Sequence, residues 1–161
     1  MHRSSESILV TEENSGARAV AWAQRLGAGF DAAALERLIA LDPDESTGLM
    51  PQLVALFEDS LRVQTQALEA ALAAVDLDAL RRAAHSVRSA AMSMGALEFA
   101  QACTALEQQA LLQQRSAASH TDGAVFKEGA ALLQWALALR EQVRRTMAAH
   151  GDEGAHGHGR N

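Results

Sequence analysis

Tyrosine is absent from this chain of 161 residues, aromatic side chains make up 4% of it, and prolines occur only at Pro43 and Pro51. Strands draw on aromatic and β-branched residues, whereas the alanine and leucine that abound here favour helices, so a β-rich fold is excluded. The one cysteine, Cys103, precludes an intramolecular disulfide and suits a reducing compartment; in an apolar helical run it reads as a small core residue. No apolar run approaches the ~20 residues that span a bilayer, and the first residues lead into no signal-peptide core, so a cytoplasmic protein is expected. Positive charge is also scarce. Fourteen Lys and Arg face twenty Asp and Glu, for a net charge of −6, which argues against nucleic acid as the main partner because that role demands a basic face. The sequence has no Gly-rich phosphate loop and no acidic cluster suited to magnesium, so autophosphorylation from ATP is excluded and no cofactor or metal of its own is expected.

What is present is helical periodicity in a chain of single-domain size. Residues 1–16 are polar and aperiodic and are expected to be a flexible N-terminal segment. Ala17–Leu26, with Trp22, can form a short helix ended by Gly27-Ala28-Gly29. Asp31 can cap a second helix through about Leu41, and Asp42-Pro43-Asp44 then makes a turn. A long helix runs from about Thr47 to Val75 with Pro51 in its first turns and a seam of Met50, Val54, Phe57, Leu61, Leu68 and Val75. Gln64 falls in that seam, either solvated at its edge or bonding toward the next helix. Asp76 caps that next helix after a very short turn, so the two are antiparallel neighbours. Gly95 ends it, and Leu97, Ala100, Cys103, Leu106 and Ala110 continue a new seam. Ser116–His120 reads as a loop, and Asp122 precedes a last helix to about Ala149 that packs Val125, Leu132, Trp135, Leu139 and Val143. The expectation is an all-α protein: an antiparallel up-and-down four-helix bundle with an additional N-terminal helix over residues 17–149, and a disordered Gly/His tail over 150–161. His156 and His158 in that tail lack the Cys or ordered carboxylate that would close a metal site.

The most informative stretch is Ala83-Ala84-His85-Ser86-Val87-Arg88-Ser89-Ala90-Ala91-Met92-Ser93-Met94-Gly95-Ala96. Leu77, Leu80, Ala84, Val87, Ala91 and Met94 recur at spacings of three and four, one buried side of a helix. At ~100° per residue His85 projects roughly 130° from the middle of that seam, into water. Arg82 and Arg88 lie three residues either side of it, Arg81 and Ser89 four, so all four neighbour it on the helix surface. A histidine is a usable nucleophile at neutral pH because its ordinary pKa near 6.5 leaves most of it uncharged, and adjacent cations raise that fraction. The same arginines suit a dianionic phosphoryl group, although a solvated helix face also carries arginine for solubility. Ser89 leaves room for an approaching partner, and Met92, a turn further on, is either a docking contact or a bundle-edge filler.

This stretch resembles the signature of histidine phosphotransfer (HPt) domains of phosphorelays: a histidine, any residue, an aliphatic residue, Lys or Arg, a run of small residues, and a Gly-Ala pair ten and eleven places on. His85, Val87, Arg88, Ser89, Ala90, Ala91, Gly95 and Ala96 fill it, with Ser89 where Gly is commonest and Arg88 where Lys is. Phe30-Asp31, Leu35–Leu38, Cys103 and Leu106-Glu107 also resemble the family, so the similarity spans about Phe30 to Ala149. It implies a phosphocarrier rather than a kinase. His85 would accept a phosphoryl group through Nε2 from the phospho-aspartate of a receiver domain, in a hybrid kinase or a response regulator, and pass it to another. The receiver would supply the aspartate and Mg2+, Arg88, Arg82 and Arg81 would stabilise charge, and Ser89, Met92 and Gln64 would meet the partner. A monomer is expected, since the chain holds its whole bundle. A kinase dimerisation pair would place an acidic residue and soon a proline after the histidine, and neither follows His85. A metal-binding bundle would need Glu-x-x-His pairs, which are missing. A helical adaptor that binds a receiver without carrying phosphate would not need the histidine.

Overall fold

The computed structural model describes the backbone of residues 3–116 and 123–156, with side chains described over 14–116 and 123–151. Six helices follow one another: α1 (Arg3–Leu26), α2 (Ala32–Ile39), α3 (Leu49–Ala73), α4 (Leu77–Ser93), α5 (Leu97–Arg115) and α6 (Gly123–His156). Helices α3 to α6 close a ring in which α3 packs on α4, α4 on α5, α5 on α6 and α6 on α3. Helices α1 and α2 form a pair laid against it, α1 touching α6 and α2 touching α3. The expected all-α bundle is therefore present, and among the described residues no helix is long and apolar enough to cross a membrane.

The helix starts follow from local chemistry. The Asp31 carboxylate accepts a hydrogen bond from the Ala34 amide at 2.8 Å, and Asp76 does the same for Ala79 at 2.9 Å, each satisfying an amide with no partner inside its helix. Pro51 sits in the first turn of α3, where a missing N–H costs little. The α2–α3 turn is organised by Asp42, which is buried and accepts from the amides of Thr47 (3.3 Å) and Leu49 (3.1 Å) and the hydroxyl of Ser46 (3.4 Å). These donors hold its carboxyl below the ordinary value of 3.8, the Leu49 amide most strongly. Arg18 of α1 braces the same turn, donating to the Pro43 carbonyl at 2.8 Å and pairing with Glu45 at 2.8 Å.

Gly95 fixes the α4–α5 turn. It adopts φ +76°, a left-handed conformation, and its carbonyl accepts from the Asp31 amide at 2.9 Å. A Cβ there would stand 2.8 Å from the Cβ of Ala34, so the turn and the start of α2 meet at a distance only glycine permits.

Several details depart from expectation. Helix α1 begins at Arg3 rather than Ala17: no proline or glycine interrupts the chain before Gly16, and its buried stripe of Ser15, Ala19, Trp22 and Leu26 already starts two residues before Ala17. Helix α6 continues past Ala149 to His156, and at His150 it still packs, the ring tilted on Trp22 at 5.3 Å between centroids. His158 and the rest of the tail, like most of the Ser116–His120 loop and Asp122, lie outside the described residues. Thr65, not Gln64, fills the buried position of α3, its hydroxyl turned onto the Arg62 carbonyl at 2.9 Å; Gln64 is half-buried beside it. Val75 belongs to the turn, exposed and at φ +52°. Ala136 rather than Trp135 occupies the core of α6, and Trp135 lies at the edge, edge-on to Phe99 at 5.4 Å.

Candidate functional site

Helix α4 buries Leu80, Ala83, Ala84, Val87 and Ala91, which turns His85 outward with its side chain 56% exposed. The ring is nonetheless held. From α5 the Glu107 carboxylate reaches it, Oε2 lying 2.9 Å from Nδ1. Glu107 stands four residues after Cys103 and three before Ala110, both buried, so it flanks the apolar stripe and is itself only 16% exposed. A carboxylate can only accept, so Nδ1 carries the proton and donates. The other nitrogen, Nε2, then keeps its in-plane lone pair.

Arg88 completes the group. Its Nη2 is 3.3 Å from the same Nδ1, but a protonated ring nitrogen cannot accept, so the shorter contact with Glu107 sets the tautomer. The guanidinium is anchored instead by its Nε, 3.0 Å from Glu107 Oε1. This is an ion pair rather than an aligned hydrogen bond, since neither of these two buried atoms finds a hydrogen-bond partner. Below the group Cys103 is fully buried; burial, and then the Glu107 charge, push its thiol up to about 12, so it is an inert core residue.

The arrangement brings together some expected residues and separates others. Arg88 joins His85. Arg81 and Arg82 turn the other way and share Asp78, Arg81 at 3.0 Å and Arg82 in a close pair. Ser89 is exposed one turn on, its hydroxyl folded back on the His85 carbonyl at 3.4 Å, which keeps the surface beside the ring low. Met92 is 55% exposed. Gln64 lies on α3, half-buried, and is not among the side chains that meet at His85. Glu107 entered the sequence reading only through the family resemblance and without a role at the site, although a carboxylate one step from Leu106 on a buried stripe marks it. Among the described residues no group of His, Cys, Asp and Glu could hold a metal ion.

An exposed imidazole with a fixed tautomer stands on a four-helix bundle, and residues 52–149 match the model of the Hpt domain. The chain belongs to the Hpt family. A solved Hpt protein, the histidine-containing phosphotransfer protein B (HptB) of Pseudomonas aeruginosa PAO1, is similar in structure with a TM-score of 0.53. It is 25% identical over 74% of this chain and 97% of its own. No curated protein sequence matches. The Hpt match begins inside α3 and ends inside α6, so α1 and α2 lie outside it. Membership makes this a phosphotransfer domain of a phosphorelay, in which Hpt domains interact with receiver domains.

Proposed function

We propose that His85 carries the phosphoryl group, taking it from the phospho-aspartate of one receiver domain and passing it to the aspartate of another. The observation that carries this reading is the Glu107–Nδ1 contact on a ring otherwise open to solvent. The Nε2 lone pair attacks phosphorus in line, the N–P bond forms, the acyl O–P bond breaks, and the aspartate leaves as a carboxylate. Attack leaves positive charge on the ring, and the Glu107 carboxylate, already at Nδ1, offsets that charge while Nδ1 keeps its proton. Arg88 is close enough to turn a guanidinium N–H toward the new phosphoryl oxygens. The receiver side brings the aspartate and Mg2+. Transfer onward is the reverse of the same step, so one site serves both directions. Met92 and Ser89 lie where the mouth of the partner must settle, Met92 as an adaptable apolar contact and Ser89 as clearance.

The test is transfer from a panel of labelled, phosphorylated receiver domains to the wild type and to His85→Gln, scoring acid-labile, base-stable label. Label on the wild type alone is expected. Binding to a receiver with no label on either protein would make the chain a non-transferring adaptor.

A further inference from the structure

The surface around His85 is divided by charge, and the division separates two kinds of arginine. Arg88 and Glu107 close on each other beside the ring. On the N-terminal side, Arg81 and Arg82 share the single carboxylate of Asp78, which leaves one positive charge uncompensated. Arg82 is 60% exposed and three residues from His85, so this charge lies on the same face as the ring. The whole chain carries −6, so two arginines sharing one acid are set against an acidic background. Toward the C-terminal side the face turns to Ser89 and exposed Met92.

Position argues against a chemical role for the pair. Asp78 precedes His85 by seven residues, about 10 Å along a helix that rises 1.5 Å per residue. Guanidinium groups held at Asp78 are thus directed away from Nε2, whereas a phosphoryl contact needs about 3 Å. We propose that Arg81 and Arg82, forked on Asp78, form an electrostatic docking element for a receiver domain that presents carboxylates at the rim of its aspartate pocket, and that they take no part in the transfer step. This rests on His85 being the carrier. Charge placed this way acts on encounter and on partner choice, and it is screened by salt beyond about 8 Å at physiological ionic strength.

The experiment compares two phosphodonors on the intact protein. Phosphoramidate, a small donor, reports the chemistry of His85 alone; the receiver that labels the wild type fastest reports docking as well. Arg82→Glu lowers the second-order rate from that receiver by roughly tenfold at low salt and far less at high salt, with labelling by phosphoramidate unchanged. Asp78→Asn frees the second arginine and shifts the receiver rate the opposite way, while Arg88→Ala slows labelling by both donors. Equal slowing of Arg82→Glu with both donors would make Arg82 a phosphate-stabilising residue and overturn the proposal, as would no slowing with either. Absence of label on His85 in the wild type from both donors would instead bring down the carrier reading, and this proposal with it.

Discussion

Replacing Gly95 with alanine tests how the α4–α5 hairpin is held, because two separable costs meet at that residue. The first is conformational: φ is +76°, and an L-residue in the left-handed region costs about 1–2 kcal/mol, part of which is returned by the lower entropy of the unfolded chain. The second is steric, since the new Cβ would sit 2.8 Å from Ala34 Cβ and 3.1 Å from the Asp31 carbonyl, and overpacking of this kind costs about 1–3 kcal/mol. Gly95→Ala should therefore destabilise by about 2–4 kcal/mol. Gly48→Ala is the control: φ is +62° and no atom lies within 4 Å of its Cβ position, so it incurs the backbone cost alone, about 1 kcal/mol. Urea unfolding of both, with unchanged m-values, gives the difference, and the pair Gly95→Ala with Ala34→Gly isolates the contact as a coupling energy. Equal destabilisation by the two glycine replacements, with no coupling to Ala34, would refute the close approach of the α4–α5 turn to α2.

Three further outcomes are expected. Glu107→Ala releases Nδ1 and slows phosphoramidate labelling of His85 by roughly two- to tenfold, the worth of one net hydrogen bond, while Glu107→Gln, still an acceptor, keeps most of the rate; matched kinetic traces of the three proteins check this. Asp42 has its folded pKa lowered, so its contribution is present above the unfolded value near 3.9 and is lost as pH falls through the folded value. Asp42→Asn should lose stability at neutral pH and flatten the acid limb of stability against pH, which unfolding curves between pH 5 and pH 2 record. Cys103, buried with its thiol pushed up to about 12, should react with a thiol reagent only as fast as the protein opens, so its rate in native buffer is independent of reagent concentration once closing is outrun.

Much of this fold is written locally. Asp31 and Asp76 cap the helices expected of them, Pro51 falls in a first turn, Gly95 ends α4, and the phase of Leu80, Ala84, Val87 and Ala91 turns His85 outward. The departures share a cause, namely that tertiary contacts decide what periodicity leaves open. Thr65 reads as polar in sequence, yet burying it costs little once its hydroxyl bonds to its own helix. Trp135 reads as core by size, yet Ala136 takes the fully buried position of α6 and Trp135 stays at the edge, against Phe99 of α5. Arg81 and Arg82 share the helix face of His85, and only their common partner Asp78 shows that they point elsewhere. Glu107 is 22 residues from His85 in sequence, and its meeting with the ring depends on how α4 and α5 pack.

The most direct test of the central claim is nitrogen NMR of histidine-labelled protein after exposure to a phosphorylated receiver that transfers to it. The account predicts a single phosphohistidine, His85, with phosphorus on Nε2 and the proton retained on Nδ1 against Glu107. Phosphorus on Nδ1 of His85, or on another histidine such as His150, would contradict it.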